Sequence, residues 1–386
     1  MGSAVIYLDH QASTPCAAGV AEAMAPWWSA QAANPSSRLH RPGLLAAAAV
    51  EQARGRIAAG LGLPAEAVIF TSGATEANNL ALKGLAEAEL AAGGPRRHLI
   101  SLSTEHRAVL DPLRYLERHG FRLTLLPVDE DGLLDPARLE AALQPDTLLV
   151  SVMAANNEIG VLQPLAAIGA LCRDRGVPFH CDAAQALGHI PLEPQALGID
   201  LLSFSGHKLG GPMGIGALVR CDPALELAPQ LHGGGQERGL RAGSLPVPLI
   251  VGLGVAVERA LADRQARQER LGALRDQLWQ RLETLGGVHR NGAAAPRLAH
   301  NLNVWVEGVD GAALHSRLRH RLAVSSGSAC SAGEPSHVLQ ALGRTRQQAA
   351  ASIRFGLGAD TTAEDIEQAA AVVADALRAL RRSPTG

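Results

Sequence analysis

Lysine is almost absent from this chain: of its 35 basic residues only Lys83 and Lys208 are lysines, and the other 33 are arginines. Lys208 follows the apolar run 199–204 and is followed by Leu-Gly-Gly-Pro. A lysine leaving the end of a strand and facing a cleft can present a neutral ε-amine to a carbonyl group and form a Schiff base with it. Taken alone, the position suits a surface lysine in a glycine-rich turn equally well. Lys83, inside the helical run ATEANNLALKGLAEAEL, reads as a solvated helix residue.

Six further constellations bear on what Lys208 could serve. In TSGATEANN at 71–79, a strand runs through a glycine into a helix whose first amides are unpaired, which makes a cradle for a phosphate with Thr75 adding a hydroxyl. An ordinary strand-to-helix turn would look the same. In HCDAAQALG, Asp182 stands at the carboxyl end of an apolar strand, where a buried carboxylate needs a cationic partner such as a protonated heterocyclic nitrogen, or else caps the next turn. His106 in SLSTEHRAVL opens a helix after a strand, so its ring could lie over a planar cofactor and exchange protons, or be merely structural. Asn156 and Asn157 in AANNEIG could donate to an oxygen or shape a turn. Arg354, in the apolar strand ASIRFGLG, could bind a carboxylate with its fork or form a structural ion pair. Cys330 lies among serine, glycine and alanine in SSGSACSAGEPSH, an exposed setting in which a free thiol is an oxidation liability. The other four cysteines read as core or packing residues, which favours Cys330 as a nucleophile.

The elements that must position these residues follow from hydrophobic patterning. Strands are expected at 4–8, 68–71, 99–102, 122–126, 147–153, 177–181 and 199–204, with helical runs between many of them. That alternation predicts a mostly parallel sheet covered by helices on both faces. After Arg220 the organisation changes. A glycine-rich stretch, HGGGQERGLRAGS, precedes one long helical pattern at 248–285. Strands at LNVWV, LAVSS and ASIRFGL then alternate with helical runs and predict a smaller α+β domain, which the first strand crosses over to join.

Composition narrows the function classes. A net charge of -2 and a pI near 6.7 give no electrostatic reason for binding nucleic acid or an anionic membrane surface. Five widely spaced cysteines without a CxxC pair suggest neither a disulfide framework nor a zinc site. No apolar run approaches the ~18 residues of a membrane helix. A reduced, cytoplasmic, enzyme-like protein is expected.

The chain resembles the cysteine desulfurases of the NifS/IscS type, within the class V aminotransferase family of fold type I pyridoxal-phosphate enzymes. The segments that carry the resemblance are YLDHQASTP, NPSSRLHRPG, FTSGATEANNLALKG, TEHRAVLD, AANNEIGV, HCDAAQALG, SFSGHKLGGPMGIGAL, HGGGQERGLRAGSLP, AVSSGSAC and SIRFGLG, in order over nearly the whole length. The resemblance implies an α/β fold with a seven-stranded, mostly parallel sheet in a large cofactor domain at 15–258. A small α+β domain would comprise 1–14 and 259–386 and carry Cys330.

It further implies that Lys208 holds pyridoxal 5'-phosphate covalently, that Asp182 pairs with the pyridine nitrogen and that His106 stacks on the ring. Gln185 and Asn157 would reach the phenolic oxygen, while Ala74, Thr75, Ser205 and His207 would bind the phosphate. Ser244 falls where the family has a hydroxyl residue contributed by the second subunit of a homodimer. Arg354, helped by Asn34, would hold the carboxylate of L-cysteine, and Cys330 would take its sulfur as a persulfide, leaving L-alanine. A sulfur-acceptor protein, such as an iron-sulfur scaffold, is then the expected partner. Two other functions fit the same residues: a pyridoxal-phosphate C–S lyase, with selenocysteine lyase as a variant, and a mainly binding component of a sulfur-relay assembly.

Overall fold

The computed structural model describes residues 5–326 and 336–382. In the first part of the chain, β1 (Ile6–Tyr7), α1 (Ala18–Met24) and α2 (Arg41–Gly60) lead to β2 (Val68–Thr71) and α3 (Ala74–Ala91). There follow β3 (His98–Leu102), α4 (Arg107–Glu117), β4 (Arg122–Leu126), α5 (Pro136–Ala142), β5 (Thr147–Ser151), α6 (Leu165–Asp174), β6 (Phe179–Asp182), β7 (Leu201–Ser205) and β8 (Gly216–Arg220). The remaining elements are α7 (Val247–Ala262), α8 (Arg264–Glu283), β9 (Val288–Arg290), β10 (Asn301–Val306), α9 (Gly311–Leu318), β11 (Leu322–Ala323), α10 (His337–Ala341), α11 (Arg346–Ala350), β12 (Ser352–Gly356) and α12 (Ala363–Arg382).

Seven strands form the main sheet in the order β2-β8-β7-β6-β5-β3-β4. All pairings are parallel except those of β8, which is antiparallel to both β2 and β7. One inverted strand leaves the other six pointing the same way. The carboxyl ends of β2, β3, β5, β6 and β7 therefore open on one edge, where ligands bind in open α/β sheets. Helices cover both faces, as the parallel pattern requires. Ala77, Leu80, Ala81, Gly84 and Leu85 form the buried stripe of α3, spaced as one face of a helix.

A second sheet, β12-β10-β9, is antiparallel and has its own core, in which Leu302, Val304, Ile353 and Phe355 meet Leu278, Leu282, Ile366 and Val373 of the flanking helices α8 and α12. β1 pairs in parallel with β11 beside this core, so the first strand does cross over.

Three local expectations change. The strand β8 was not foreseen, because its five residues GALVR emerge from a glycine-rich loop and only the two partner strands reveal them as sheet. The run 248–285 is two helices, α7 and α8, joined at Asp263, whose φ of -92° and ψ of 5° are not helical. The break lets α7 pack on α2 in the first core while α8 turns Leu271, Leu278 and Leu282 to the second. Arg267 closes the break, its Nη2 donating to the Ala260 carbonyl at 2.7 Å. Lys83 is half-buried rather than solvated, with its Nζ 4.8 Å from the centre of the Tyr115 ring. Among the described residues no helix is long and apolar enough to cross a membrane.

Two histidines tie the fold to pH. His180 lies inside the main sheet, its ring shared between Ser151 Oγ at 2.8 Å and Ser203 Oγ at 3.0 Å, and burial pushes its pKa down to about 3. His300, stacked on His189 at 4.1 Å, is held well below the usual value by burial and then by that neighbour. Because both folded values lie below the unfolded one, this stability is complete above about pH 6.5 and is lost as pH falls towards the folded pKa. The His180 ring is expected to remove about 2 kcal/mol by pH 5. Denaturant midpoints at pH 7.5 and pH 5.0 check this; equal midpoints would contradict it.

Candidate active site

The sheet edge opens into a cavity of ≈ 370 Å³. Its wall includes Ala74, Thr75, His106, Asn157, Asp182, Gln185, Ser205, His207, Lys208 and Arg354, residues brought together from helix starts, strands and turns far apart in the sequence. Ser244 and Asn34 do not belong to this wall.

At one end, β2 runs through Ser72 and Gly73 into α3. Gly73 has φ 156° and ψ 179°, a combination open essentially to glycine alone, and it supplies no side-chain cap, so the first amides of α3 are left for another acceptor. A Cβ on Gly216 of β8 would stand 2.7 Å from the Gly73 Cα, so both glycines are needed for the cradle to lie on the sheet. Thr75 and Ser205 add hydroxyls. His207 adds a neutral ring, since burial first and Lys208 second push its pKa down to about 4. The cradle thus offers dipoles and hydrogen-bond donors suited to a phosphate.

In the centre, Asp182 ends β6 and is 5% exposed. Its Oδ2 accepts from Asn78 Nδ2 at 2.7 Å and its Oδ1 from the Ala184 amide at 2.9 Å, which pins the carboxylate in one orientation. Sequence reasoning missed Asn78, although it lies three residues after Thr75 on the same face of α3. His106 caps α4, its Nδ1 accepting from the Ala108 amide at 3.1 Å, so the neutral ring carries its proton on Nε2. Burial lowers its pKa, against the pull of Asp182. Beside it Glu105 is fully buried, with Oε1 accepting from the Met153 amide at 2.6 Å, and burial pushes its carboxyl well above the usual range.

Lys208 follows β7 on a single turn, Gly206–Lys208. Its Nζ donates to the Ala12 carbonyl at 2.9 Å and also to that of Gln11, on the segment that follows β1. Gln185 Nε2 donates to the same Gln11 carbonyl at 3.0 Å. This segment, too, was missed as part of the site, since backbone carbonyls leave no mark in residue types.

Arg354, at the far wall, comes from β12 of the second sheet and is 1% exposed. Its Nη1 donates to the Asn157 carbonyl at 3.0 Å. Asn157 therefore faces the cavity, whereas Asn156 shapes the turn, its Oδ1 accepting from the amides of Glu158 at 2.8 Å and Ile159 at 3.1 Å.

Ser244 lines a smaller neighbouring cavity with Arg241, and Ser72 and Gly214 belong to both walls. Asn34 lies outside the main wall, its Oδ1 accepting from the Ser36 amide at 2.9 Å. Cys330 lies outside the described residues. Of the other cysteines Cys172 and Cys181 are buried and Cys221 is half-buried, but Cys16 is exposed, so the expectation that all four are packing residues is corrected. None of these four lines the main cavity.

The donor set fits one kind of ligand: a planar group with a phosphate at one end, a protonated ring nitrogen over Asp182, and a carbonyl within reach of Lys208. Arg354, on the same wall, offers a guanidinium fork suited to a small carboxylate.

Comparison with known proteins agrees with this arrangement. The family model described as aminotransferase class-V matches residues 6–369. The chain is 48% identical over 379 residues to the cysteine desulfurase IscS of Methylococcus capsulatus, covering 97% of this chain and 93% of that protein. Among solved structures, a NifS-like protein superposes with a TM-score of 0.91 at 33% identity, over 98% of this chain and 100% of that one. SspA in complex with cysteine gives a TM-score of 0.81 at 40% identity, over 92% and 99% of the respective chains.

Proposed function

Because this chain belongs to the aminotransferase class-V family, we propose that it is a cysteine desulfurase, converting L-cysteine to L-alanine and carrying the sulfur away as a persulfide on Cys330. Its α/β architecture is that of the fold type I enzymes. The observation that carries the reading is the convergence, in one cavity, of Lys208, a pinned Asp182, a neutral His106 and the buried Arg354.

Pyridoxal 5'-phosphate, when bound, supplies an aldehyde on which amines exchange and a cationic ring that delocalises the electron pair left when the substrate Cα loses its proton. Lys208 would hold it covalently. Ala74, Thr75, Ser205 and His207 would receive the phosphate, Asp182 the ring nitrogen, His106 the ring face, and Gln185 with Asn157 the phenolic oxygen. Asp182, fixed by Asn78 and Ala184, keeps the opposite nitrogen protonated without itself moving. As a free amine, Lys208 would be the base placed to take the Cα proton. Arg354 orients the substrate through its carboxylate. The Cys330 thiolate then attacks the substrate sulfur: the Cβ–S bond breaks, an S–S bond forms, and the carbon skeleton takes up protons to leave alanine.

A persulfide is consumed by an acceptor, and a sulfur-acceptor protein such as an iron-sulfur scaffold fits that need in the reducing cytoplasm. The protein acts as a homodimer, with Ser244 serving the partner's site. Trp28, Leu39, Leu44, Leu45 and Met213 are large apolar side chains left exposed, which supports a further covered face.

Product analysis tests the function. Protein loaded with pyridoxal phosphate and given L-cysteine and a reductant is expected to yield alanine and sulfide in equal amounts. Pyruvate and ammonia in place of alanine would make it a C–S lyase instead.

A further inference from the structure

Arg354 is the largest side chain that is fully buried among the described residues. A guanidinium out of water needs partners for its charge and for its five N–H groups. One carboxylate meets it: Asp9 Oδ1 accepts from Nη2 at 2.8 Å. Nη1 donates to the Asn157 carbonyl, and the buried Nε has no partner among the described residues. Asp9 itself is not part of the cavity wall, although Arg354 is.

Asp9 is held from two further directions. Its backbone bridges to Gly356, two residues beyond Arg354. Its Oδ1 also accepts from Ser325 Oγ at 2.9 Å, and the Ser325 carbonyl accepts the Arg354 amide at 2.7 Å. Asp9, Ser325 and Arg354 therefore close a triangle in which every side is a hydrogen bond. A carboxylate tied in this way cannot swing aside when a second carboxylate arrives. The substrate has to share the guanidinium with Asp9, and the two negative charges repel.

We propose that Asp9 is a positioning residue that fixes the plane of the Arg354 guanidinium and, through its charge, limits how tightly the site holds the carboxylate of an amino acid. The inference rests on the reading of Arg354 as the group that binds the substrate carboxylate. Its consequence is kinetic. L-Cysteine and L-alanine carry the same carboxylate, so a site that gripped the first without restraint would release the second slowly.

Asp9→Asn separates the two effects, because the amide oxygen can still accept from Arg354 and Ser325 while the charge is gone. With cofactor-loaded protein, L-alanine is titrated by the change in cofactor absorbance, with alaninamide as the control lacking a carboxylate. Asp9→Asn is expected to tighten L-alanine binding and lower the KM for L-cysteine by about tenfold, with kcat unchanged or reduced and alaninamide binding unaffected. Asp9→Glu, which keeps the charge but breaks the triangle, is expected to raise KM, and it decides the matter should Asp9→Asn fail to fold. Alanine binding that is unchanged or weaker in Asp9→Asn, or a lower KM in Asp9→Glu, would overturn the proposal. Arg354→Gln distinguishes the two levels: loss of alanine affinity by at least about tenfold upholds the reading of Arg354 whatever Asp9 does, and unchanged affinity sinks both.

Discussion

Lys208→Ala is expected to abolish the visible absorption that marks covalently held cofactor and to lower alanine formation from L-cysteine by at least about 10⁴-fold. The side chain has two successive tasks, attachment and proton removal, and no neighbour can assume the first. The only other lysine, Lys83, is engaged over Tyr115 on α3 and does not line the cavity. Among the cavity's own cations, Arg354 is the sole alternative to Lys208, and an arginine is neither a nucleophile nor a base near neutral pH. The fold should survive the change, because Lys208 lies at a cavity wall on the short turn after β7 rather than in a core element. The decisive readouts are the absorption spectrum, borohydride trapping of the cofactor on the protein, and partial recovery of turnover by a small primary amine. Borohydride-stable cofactor on Lys208→Ala, or turnover within tenfold of the parent, would remove Lys208 from the mechanism.

Cys330→Ala has the second largest expected effect and the opposite signature. The cofactor spectrum and L-alanine binding should be unchanged, whereas alanine formation from L-cysteine should fall by about 10³-fold or more. Burial, then Asp200, pushes the pKa of both Cys172 and Cys221 to about 12; burial raises Cys181 well above the usual thiol value, and it also raises Cys16. At neutral pH these four hold little thiolate, the form that attacks sulfur, and none borders the cavity. Mass spectrometry of the protein after limited L-cysteine should find one added sulfur on the peptide containing Cys330. Persistent alanine formation in Cys330→Ala, lost only when Cys16 is also replaced, would transfer the role to the exposed thiol.

Much of this site was legible before any coordinates, because its chemistry uses residue types that are costly to keep without a purpose. A rare lysine after a buried strand, an aspartate closing an apolar strand and an arginine inside another strand each marked a position, and the structure puts Lys208, Asp182 and Arg354 on one cavity. What escaped detection acts through geometry. Asn78 matters because it donates to Asp182, 104 residues away, and its identity as one of two adjacent asparagines gave no hint of which one turns inward. Gln11 and Ala12 act through their carbonyls. Asp9 reads as one more polar residue in YLDHQASTP until Arg354 is found against it, 345 positions on. Cys16 looked like a packing residue and is exposed, because a small apolar neighbourhood in sequence says little about which side of a loop faces water.

By itself, the sequence determined the alternation of strands and helices and the chemistry that Lys208, Asp182, His106 and Arg354 could perform. These are local properties: hydrophobic period, turn residues and the functional groups themselves. Only the tertiary structure decided that β8 inserts antiparallel between β2 and β7, that the helical run 248–285 breaks at Asp263 to serve two cores, and that Asp9 from β1's segment closes on Arg354 from β12. Such features depend on pairings between distant segments, where a strand edge, a core surface or a buried charge is satisfied by whatever the fold brings opposite it, and no local pattern encodes that partner.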